Sequence, residues 1–566
     1  MDRHRRTRAF ALCSVGFWSG AGLPILIAAG LFLAGLGQLD LWTPDEPRYA
    51  QVAEEMRSFE NGTEGLVLLH LNGEPYTQKP PLYYWMAAAI GAPFGHVGHW
   101  PARLPSALSA IAVIGLVALF GRRLYQNPRA GFLASMVLLG VFRFTHQARR
   151  AQLDLVLTLC ELVALFAFWS LDQDKDRSPR ATRLLLLALH GAVALGLLTK
   201  GPVAALPYAV IVIFLLWERR ASDLRRFFPW WGPVLAIAPI LIWFSASALL
   251  APSGYIEEAA TRNLWTRFFS GVHHPRPLYY FLYQLPLDFM PWTPVVLGAI
   301  ASMLWTRSTQ SPRGPGNETR SFLLIWLLTT LTFFSISAEK RGLYMLPTFP
   351  ALALIAGGWL ATQLSRPRLA SWLSLGATVF FALLGAAALG IASNGLPETI
   401  PFQEVALPDG FLLGTAAVSF LSALSLLWWH SFRPHTASQI GVLLLAPIVL
   451  ECLMLFSLFP SIDEEKSYRP VAEFVAESRP DSSPLGVYRR PSITGAIEYY
   501  SGRRVGAVET EADLAAFFQN GGRTLIAPLH AIPHLQESTG GQIIRQFREG
   551  RRAVVVIELQ HAPKEG

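Results

Sequence analysis

Two acids and an arginine stand directly after the first apolar run of the chain, in the segment Trp42-Thr43-Pro44-Asp45-Glu46-Pro47-Arg48-Tyr49. The polar stretch continues to Gln78-Lys79-Pro80-Pro81, where apolar residues resume. Charged side chains beside a membrane cost free energy unless they are solvated, paired or used in function. The topology of the remaining chain decides which of these applies, because it sets the side of the membrane on which the segment lies.

The composition is typical of a membrane protein. Of the 566 residues, 52% are hydrophobic and only 15% are charged, and the apolar runs recur at about 20 residues, long enough to cross ~30 Å of hydrocarbon. The net charge of +8 comes from arginines in short loops between these runs. Arginine at such positions sets topology, so we expect no nucleic-acid partner. The cysteines Cys13, Cys160 and Cys452 indicate neither a disulfide nor a zinc site.

Thirteen apolar spans are predicted. They lie near residues 20–37, 104–120, 130–144, 153–171, 184–199, 202–217, 230–250, 279–304, 321–337, 343–363, 371–391, 411–429 and 440–459. The basic N-terminus is interpreted as a retained cytoplasmic anchor, and the loops on its side of the membrane carry arginine or lysine, as the positive-inside rule requires. An odd number of spans places the C-terminus outside, and the loop 38–103 becomes the first outer loop.

Two regions depart from the pattern of long spans. The short apolar stretch Pro81–Pro93 is expected to form an interfacial helix anchored by Tyr83, Tyr84 and Trp85. In the tail, apolar runs shrink to strand length, with helical patterns between them. The predicted strands are Leu485–Tyr488, Thr524–Ala527 and Ala553–Ile557. The fold class is therefore an all-α polytopic membrane domain, residues 1–460, followed by a small α/β domain outside the membrane, residues 461–566.

Basic residues recur in the predicted outer loops, where the positive-inside rule does not explain them. They are Arg48, Lys79, Arg149, Arg150, Lys200, Arg262, Arg267, Arg276, Lys340 and Arg341. Each of them taken alone is more typical of a solvated loop charge. Together they indicate a cationic surface at the membrane edge, suited to the phosphate of a lipid-linked substrate.

The acids of the outer loops are candidates for catalysis. Asp45 and Glu46 lie in the first outer loop, and Asp154 lies at the start of the fourth span. One interpretation is that Asp154 pairs with Arg149 or Arg150 to close its loop. The other is that acids from separate loops meet in one cavity, where one acts as a general base towards an acceptor hydroxyl. The adjacent pair His273 and His274 is better explained as polar loop residues than as metal ligands.

The motifs of the outer loops resemble a known family. They are Asp45-Glu46-Pro47-Arg48-Tyr49, Asn72–Leu82, Gln147–Asp154, Leu198–Pro202, Arg267-Phe268 with Pro277–Tyr280, Pro291-Trp292-Thr293 and Leu343–Pro347. In this order they resemble the ArnT-like aminoarabinose transferases and the wider protein O-mannosyltransferase superfamily, across most of the first 365 or so residues. Members are GT-C glycosyltransferases that use polyprenyl-phosphate sugars and invert the anomeric centre.

The resemblance implies roles for individual residues. Asp45 corresponds to an essential acid at the reaction centre, with Asp154 close to it. Contacts to the carrier phosphate are implied for Lys79, Arg267 and Tyr344. Four other outer-loop cations are added as further candidates for holding phosphate: Arg48, Lys200, Lys340 and Arg341. Glu46 is retained as a third catalytic candidate beside Asp45.

Two positions depart from the aminoarabinose pattern. Gln78 replaces a glutamate, and the residues around Asn263 replace a histidine. In the aminoarabinose enzymes these two positions have been associated with a metal ion, so we expect neither metal nor cofactor here and leave the transferred sugar open.

The sequence thus predicts a glycosyltransferase of the bacterial inner membrane that acts at the outer face. Its expected partners are a polyprenyl-phosphate-linked sugar donor, a lipid, glycan or protein acceptor and membrane lipids, and we expect it to act as a single copy. Two alternatives are a transporter or flippase of lipid-linked sugars, whose polar residues would mark a path near the bilayer midplane, and a non-catalytic membrane scaffold.

Overall fold

The computed structural model describes residues 18–174, 176–259, 275–306, 315–366, 369–396, 407–478, 483–547 and 553–563. The helices are α1 (Leu23–Leu33), α2 (Asp45–Ser58), α3 (Leu82–Gly91), α4 (His99–Tyr125), α5 (Pro128–Leu139), α6 (Phe142–Ala148), α7 (Asp154–Gln173), α8 (Pro179–Lys200), α9 (Leu206–Trp217), α10 (Leu224–Phe227), α11 (Trp231–Leu250), α12 (Tyr280–Asp288), α13 (Thr293–Thr306), α14 (Pro315–Ile336), α15 (Phe349–Gln363), α16 (Ser371–Asn394), α17 (Asp409–Ser431), α18 (Thr436–Leu453), α19 (Phe459–Lys466), α20 (Arg469–Ser478), α21 (Thr494–Ser501), α22 (Glu511–Gln519) and α23 (Ile532–Thr539). The strands are β1 (His70–Leu71), β2 (Glu74–Pro75), β3 (Leu485–Tyr488), β4 (Val505–Val508), β5 (Thr524–Pro528), β6 (Gln542–Phe547) and β7 (Val554–Glu558).

Every predicted span overlaps an apolar helix. Among the described residues, nine helical stretches are long and apolar enough to cross a membrane, and ten if α12 and α13, bent by 114°, cross as one broken span. One of the nine, Pro179–Trp217, contains two predicted spans, α8 and α9. Two further predicted spans are the shorter apolar helices α1 and α5. The polytopic helical fold is confirmed, and the count of long spans is lower than thirteen because several of these helices are short or broken.

Glycines let the central helices approach closely. A Cβ added at Gly131 of α5 would lie 2.0 Å from the carbonyl oxygen of Ala118 in α4, and one at Gly357 of α15 would lie 2.3 Å from the amide nitrogen of Ala134 in α5. Small residues are the usual means of close packing between membrane helices. The main apolar core forms around these contacts and includes Phe120 and Trp326.

The first outer loop has its own core, which corrects one expectation. Tyr83 and Tyr84 of α3 are fully buried, packed against Tyr49 of α2, and the Tyr83 hydroxyl donates to the Ala102 carbonyl oxygen at 2.8 Å. They are therefore core residues of the loop rather than interfacial anchors. The aromatic pattern of α3 did not distinguish the two, because both environments favour tyrosine.

The C-terminal region forms a five-stranded sheet in the order β4-β3-β5-β7-β6. β3 pairs in parallel with β4 and β5, while β7 runs antiparallel to β5 and β6. The three strands predicted from apolar runs are β3, β5 and β7, which lie at the centre of the sheet. The edge strands β4 and β6 were missed, because exposed edges carry fewer apolar residues.

Hydrogen bonds fix the C-terminal region on the first outer loop. The Trp42 indole Nε1 donates to Asp463 of α19 at 2.6 Å, and the Leu41 amide donates to the Tyr500 hydroxyl of α21 at 2.6 Å. The Tyr499 hydroxyl donates to the Val97 carbonyl oxygen at 2.9 Å. The two regions therefore lie on the same side of the membrane, as the odd number of spans predicts.

Candidate active site

Asp45 is the centre of a buried cluster at the N-terminus of α2. Its Oδ1 accepts a hydrogen bond from Arg48 Nη2 at 2.5 Å, and its Oδ2 accepts one from Arg341 Nη2 at 2.9 Å. Gln152 Nε2 donates to Oδ2 at 3.3 Å. An acid in the first turn of a helix is also favoured by the helix dipole. Residues far apart in the sequence thus converge on one carboxylate.

The arginines decide the ionisation of Asp45. Burial by itself would raise the pKa of this carboxyl, but Arg341 and then Arg48 outweigh that effect and hold the pKa below its ordinary value. Asp45 is therefore an anion at neutral pH.

Arg48 extends the cluster towards the end of the outer loop. Its Nη1 donates to Gln78 Oε1 at 3.3 Å. Its Nε is buried and lacks a hydrogen-bond acceptor among the described residues. Lys79 follows Gln78 and is half-buried. A half-buried guanidinium with a spare donor is suited to an incoming oxyanion.

Asp154 forms a second cluster at the N-terminus of α7. Lys200, at the end of α8, donates from Nζ to Asp154 Oδ1, and the same ammonium lies 4.5 Å from the centre of the Tyr344 ring. Asp154 therefore pairs with Lys200 and not with Arg149 or Arg150, whose side chains bind other groups. Arg149 donates to the Leu31 carbonyl oxygen, and Arg150 lies 3.2 Å from Glu46.

Tyr344 and Tyr49 link the two clusters. The Tyr344 amide donates to the Arg341 carbonyl oxygen at 3.0 Å, so the start of the short 3₁₀ helix Gly342–Thr348 brings Arg341 and Tyr344 together. Tyr49 is buried, and its hydroxyl pKa is raised by burial and then by Asp45, with a smaller contribution from Asp154. Asp45 and Asp154 are therefore both close enough to Tyr49 to raise its pKa.

Glu46 lies in a closed cluster of ion pairs, which favours a structural role over the catalytic role that the sequence predicted for it. It is fully buried, with Arg103 Nε at 2.9 Å and Arg150 Nε at 3.2 Å. The amides of Ala151 and Trp42 donate to it at 2.8 and 3.0 Å. With both oxygens occupied in an enclosed cluster, Glu46 ties α2 to α4 and to the loop before α7.

Two phosphate-binding candidates are not placed in the cluster. Lys340 is buried and donates from Nζ to the carbonyl oxygens of Arg276 and Ser337. This environment favours a role in loop structure, and the phosphate contact expected for Lys340 stays a prediction. Arg267 lies outside the described residues, so its predicted role stays a prediction.

Sequence reasoning missed two members of this region. Arg103 neutralises Glu46, and its signal was an arginine within the first turns of an apolar helix, a position that requires a partner. Gln152 contacts Asp45, and its signal was its position two residues before Asp154 on the same loop. Gln152 was missed because an uncharged residue in a loop does not by itself indicate a functional role.

The described residues do not offer a metal site. Within the described ranges, no group of three His, Cys, Asp or Glu side chains could hold an ion. Gln78 replaces the carboxylate of the related pattern and is engaged by Arg48, and Asn263 lies outside the described residues. Of the two positions of that pattern, the described one therefore carries an amide in place of a carboxylate, and the expectation of no metal stays a prediction.

Comparisons with known proteins agree with the motifs. The family model of dolichyl-phosphate-mannose-protein mannosyltransferases matches residues 78–244. An undecaprenyl phosphate-alpha-4-amino-4-deoxy-L-arabinose arabinosyl transferase of Pseudomonas fluorescens is 31% identical over 357 residues, which cover 61% of this chain and 57% of that protein. Another transferase of that name from the same organism is 29% identical over 505 residues, 84% of this chain and 86% of that protein. The chain spans about three fifths of the length of the first curated relatives it matches.

Solved structures share the fold. ArnT from Cupriavidus metallidurans bound to undecaprenyl phosphate superposes with a TM-score of 0.74 at 22% identity, covering 95% of this chain and 97% of that one. The Archaeoglobus fulgidus oligosaccharyltransferase superposes with a TM-score of 0.53 at 13% identity, covering 93% and 70%. At these identities the likeness concerns the fold alone.

Proposed function

We propose that this chain, an ArnT-like member of the GT-C superfamily that includes the protein O-mannosyltransferases, is an integral-membrane glycosyltransferase. It moves a sugar from a polyprenyl-phosphate donor to a lipid, glycan or protein acceptor at the outer face of the bacterial inner membrane. The observation that carries this function is the Asp45 carboxylate held between two arginines beside the ends of membrane helices. The names of the relatives, undecaprenyl phosphate-dependent arabinosyl transferases, support the donor class.

The donor phosphate is held by the cations of the cluster. Arg48 and Arg341 carry side chains that are 24% and 33% exposed, so an incoming phosphate reaches them. Lys200 and Tyr344 lie together on the side of Asp154. We add Lys79 and Arg267 from the motif pattern. Preorganised cations stabilise the negative charge that develops as the sugar–phosphate bond breaks.

Phosphate binding also activates Asp45. While the two arginines pair with Asp45, its low pKa makes it a weak base. A phosphate that takes over these arginines removes the interactions that lower the pKa, and the carboxylate becomes more basic. The donor thus prepares the base at the moment when a base is required.

The transfer then follows as a single displacement. The acceptor hydroxyl gives its proton to Asp45 while its oxygen forms a bond to the anomeric carbon from the side opposite the phosphate. The bond from the anomeric carbon to the phosphate oxygen breaks, and its electron pair leaves with polyprenyl phosphate, which inverts the anomeric centre. Asp154 holds Lys200 in place towards Tyr344.

The position of the cluster favours chemistry over transport. Asp154 stands at the first residue of α7 and Lys200 at the last residue of α8. A transport pathway concentrates polar groups near the bilayer midplane, whereas these groups lie at helix ends. A scaffold would leave the convergence of the outer loops on Asp45 without a function.

The test is the release of polyprenyl phosphate from a labelled donor by the purified full-length chain. We expect acceptor-dependent release from at least one member of a panel of polyprenyl-phosphate sugars. Asp45→Asn is expected to abolish this release. Its matched control is Asp172→Asn, because Asp172 is also a buried acid and pairs with Arg220 at the opposite end of α7. If the wild-type protein, placed in vesicles, moves the donor across the membrane without cleaving it, the proposal is contradicted and a flippase is favoured.

A further inference from the structure

A cleft of about 960 Å³ lies beside the active site, between the first outer loop and the C-terminal region. One wall is the C-terminal half of α2, with Gln51 and Glu54, and the opposite wall is α21, with Tyr499 and Tyr500. Among the described residues that line it, none belongs to the Asp45 or Asp154 cluster. Its size is at the upper end of the range for small-molecule sites.

Aromatic rings line the cleft at the membrane end. Phe94 and Trp100 are 57% and 39% exposed, with ring centres 6.1 Å apart in an edge-to-face arrangement. Trp100 is the second residue of the apolar helix α4, which places it at membrane-surface depth. The hydroxyls of Tyr499 and Tyr500 are fixed by Val97 and His99. Rigid aromatic faces of this kind accept the C–H faces of pyranose rings.

The cleft is lined by five glutamates and three arginines, and most of these side chains are already engaged. Arg469 Nε lies 2.6 Å from Glu473, and Arg504 Nη2 lies 3.9 Å from Glu60. Glu55 accepts hydrogen bonds from Gln51 and from the backbone amides of Asn72 and Gly73. Such a lining gives many donors and acceptors for hydroxyl groups, and with more acids than arginines it has no excess of cations to select an anion.

We propose that this cleft binds the neutral saccharide portion of a membrane-anchored acceptor glycan. The inference rests on the proposed glycosyltransferase function and adds the class of acceptor. Helix α2 joins the two sites, since Gln51 follows Asp45 by six residues, or about 9 Å along the helix. A saccharide held at Gln51 and Trp100 therefore lies within two helical turns of α2 from the reacting carboxylate.

Binding of saccharide is measured on the full-length chain in nanodiscs, since maltoside detergents carry sugar headgroups. The probes are maltotetraose, chitotetraose and mannotetraose, with inorganic phosphate in a separate titration. We expect at least one oligosaccharide to bind and Trp100→Ala to weaken that binding about tenfold, the size expected for loss of an aromatic contact. The matched control, Trp230→Ala, removes an exposed tryptophan that precedes α11, away from the cleft, and leaves binding unchanged.

The outcomes separate this inference from the proposed function. If Trp100→Ala does not fold, Phe94→Ala, at a more exposed ring, provides the same test. Binding that is unaffected by either variant, or phosphate binding in the absence of oligosaccharide binding, overturns the cleft assignment. Release of polyprenyl phosphate from the donor is assayed in parallel. Saccharide binding without donor cleavage contradicts the glycosyltransferase, and donor cleavage without saccharide binding contradicts only the cleft.

Discussion

Asp45 and Glu46 are neighbours in the sequence, and both are buried between two arginines. The arginines of Glu46, Arg103 and Arg150, are only 3% and 14% exposed. Those of Asp45, Arg48 and Arg341, are 24% and 33% exposed. The first pair is closed within the protein, and the second opens to solvent.

This difference in the exposure of the arginines distinguishes a structural ion cluster, around Glu46, from one whose arginines can take a new partner, around Asp45. Burial raises the pKa of Glu46, but Arg103 and Arg150 more than offset this and lower the pKa to about 2, with backbone donors completing the cluster. An enclosed cluster of this kind has no room for a substrate. In the proposed mechanism the more exposed arginines of Asp45 leave it for a phosphate, so the same kind of pairing would serve binding and activation.

The largest expected effect comes from Asp45→Asn. The amide keeps the shape of the side chain and accepts no proton, so we expect transfer to fall by about a thousandfold, within the range for loss of a general base. Transfer is measured with purified protein, and circular dichroism confirms the fold. Transfer close to that of Asp172→Asn would contradict the role of Asp45.

Glu46→Gln is expected to act on stability instead. The change leaves Arg103 and Arg150 buried without a counter-charge, which costs about 3–5 kcal/mol in comparable buried pairs. Thermal denaturation of the purified variant measures the loss. A melting temperature equal to that of the wild type would show that Glu46 is not the structural member of the pair.

Arginine-to-lysine changes sharpen the comparison. Arg341→Lys keeps the charge but loses the planar donor pair, and we expect the KM for donor to rise about tenfold. Arg150→Lys, in the enclosed cluster, is expected to lower stability with little change in that KM. A rise in KM for Arg150→Lys alone would reverse the assignment.

Glu498 is a buried acid without an arginine partner among the described residues, so burial raises its pKa. The effect expected from it, a small change of melting temperature with pH, is the smallest of the four. Burial raises its pKa to about 8, although Val505 and Asn72 donate hydrogen bonds to it. Because the folded-state pKa lies above the unfolded one, its contribution to stability is present below about pH 4.5 and is lost as the pH rises through 8. We expect the melting temperature of the wild type to fall by about 2 °C more than that of Glu498→Gln between pH 6 and 9. Parallel curves for the two proteins would contradict this.

The sequence predicted the fold well where a pattern was strong. Apolar length identified the helical membrane domain, and apolar runs identified the central strands β3, β5 and β7. Edge strands such as β4, with the sequence Val505-Gly506-Ala507-Val508, were missed because they carry few large apolar residues. The burial of Tyr83 was missed because tyrosine suits both a protein core and a membrane interface.

At the site, residue type was predictable and pairing was not. Asp45, Arg48 and Arg341 were identified from unusual charge at the outer loops, and the structure brings them together. The sequence did not distinguish Glu46 from Asp45, because their difference lies in the exposure of arginines from distant segments. It did not identify Lys200 as the partner of Asp154, because 46 residues separate them.

The most direct test of exchangeable arginines is the affinity of Asp45→Asn for polyprenyl phosphate, measured by titration in nanodiscs. If Arg48 and Arg341 move between Asp45 and the phosphate, the variant binds polyprenyl phosphate several-fold more tightly than the wild type, because the competing carboxylate charge is gone. Weaker binding by Asp45→Asn would contradict the account, since it would show that Asp45 supports the phosphate site instead of competing with it.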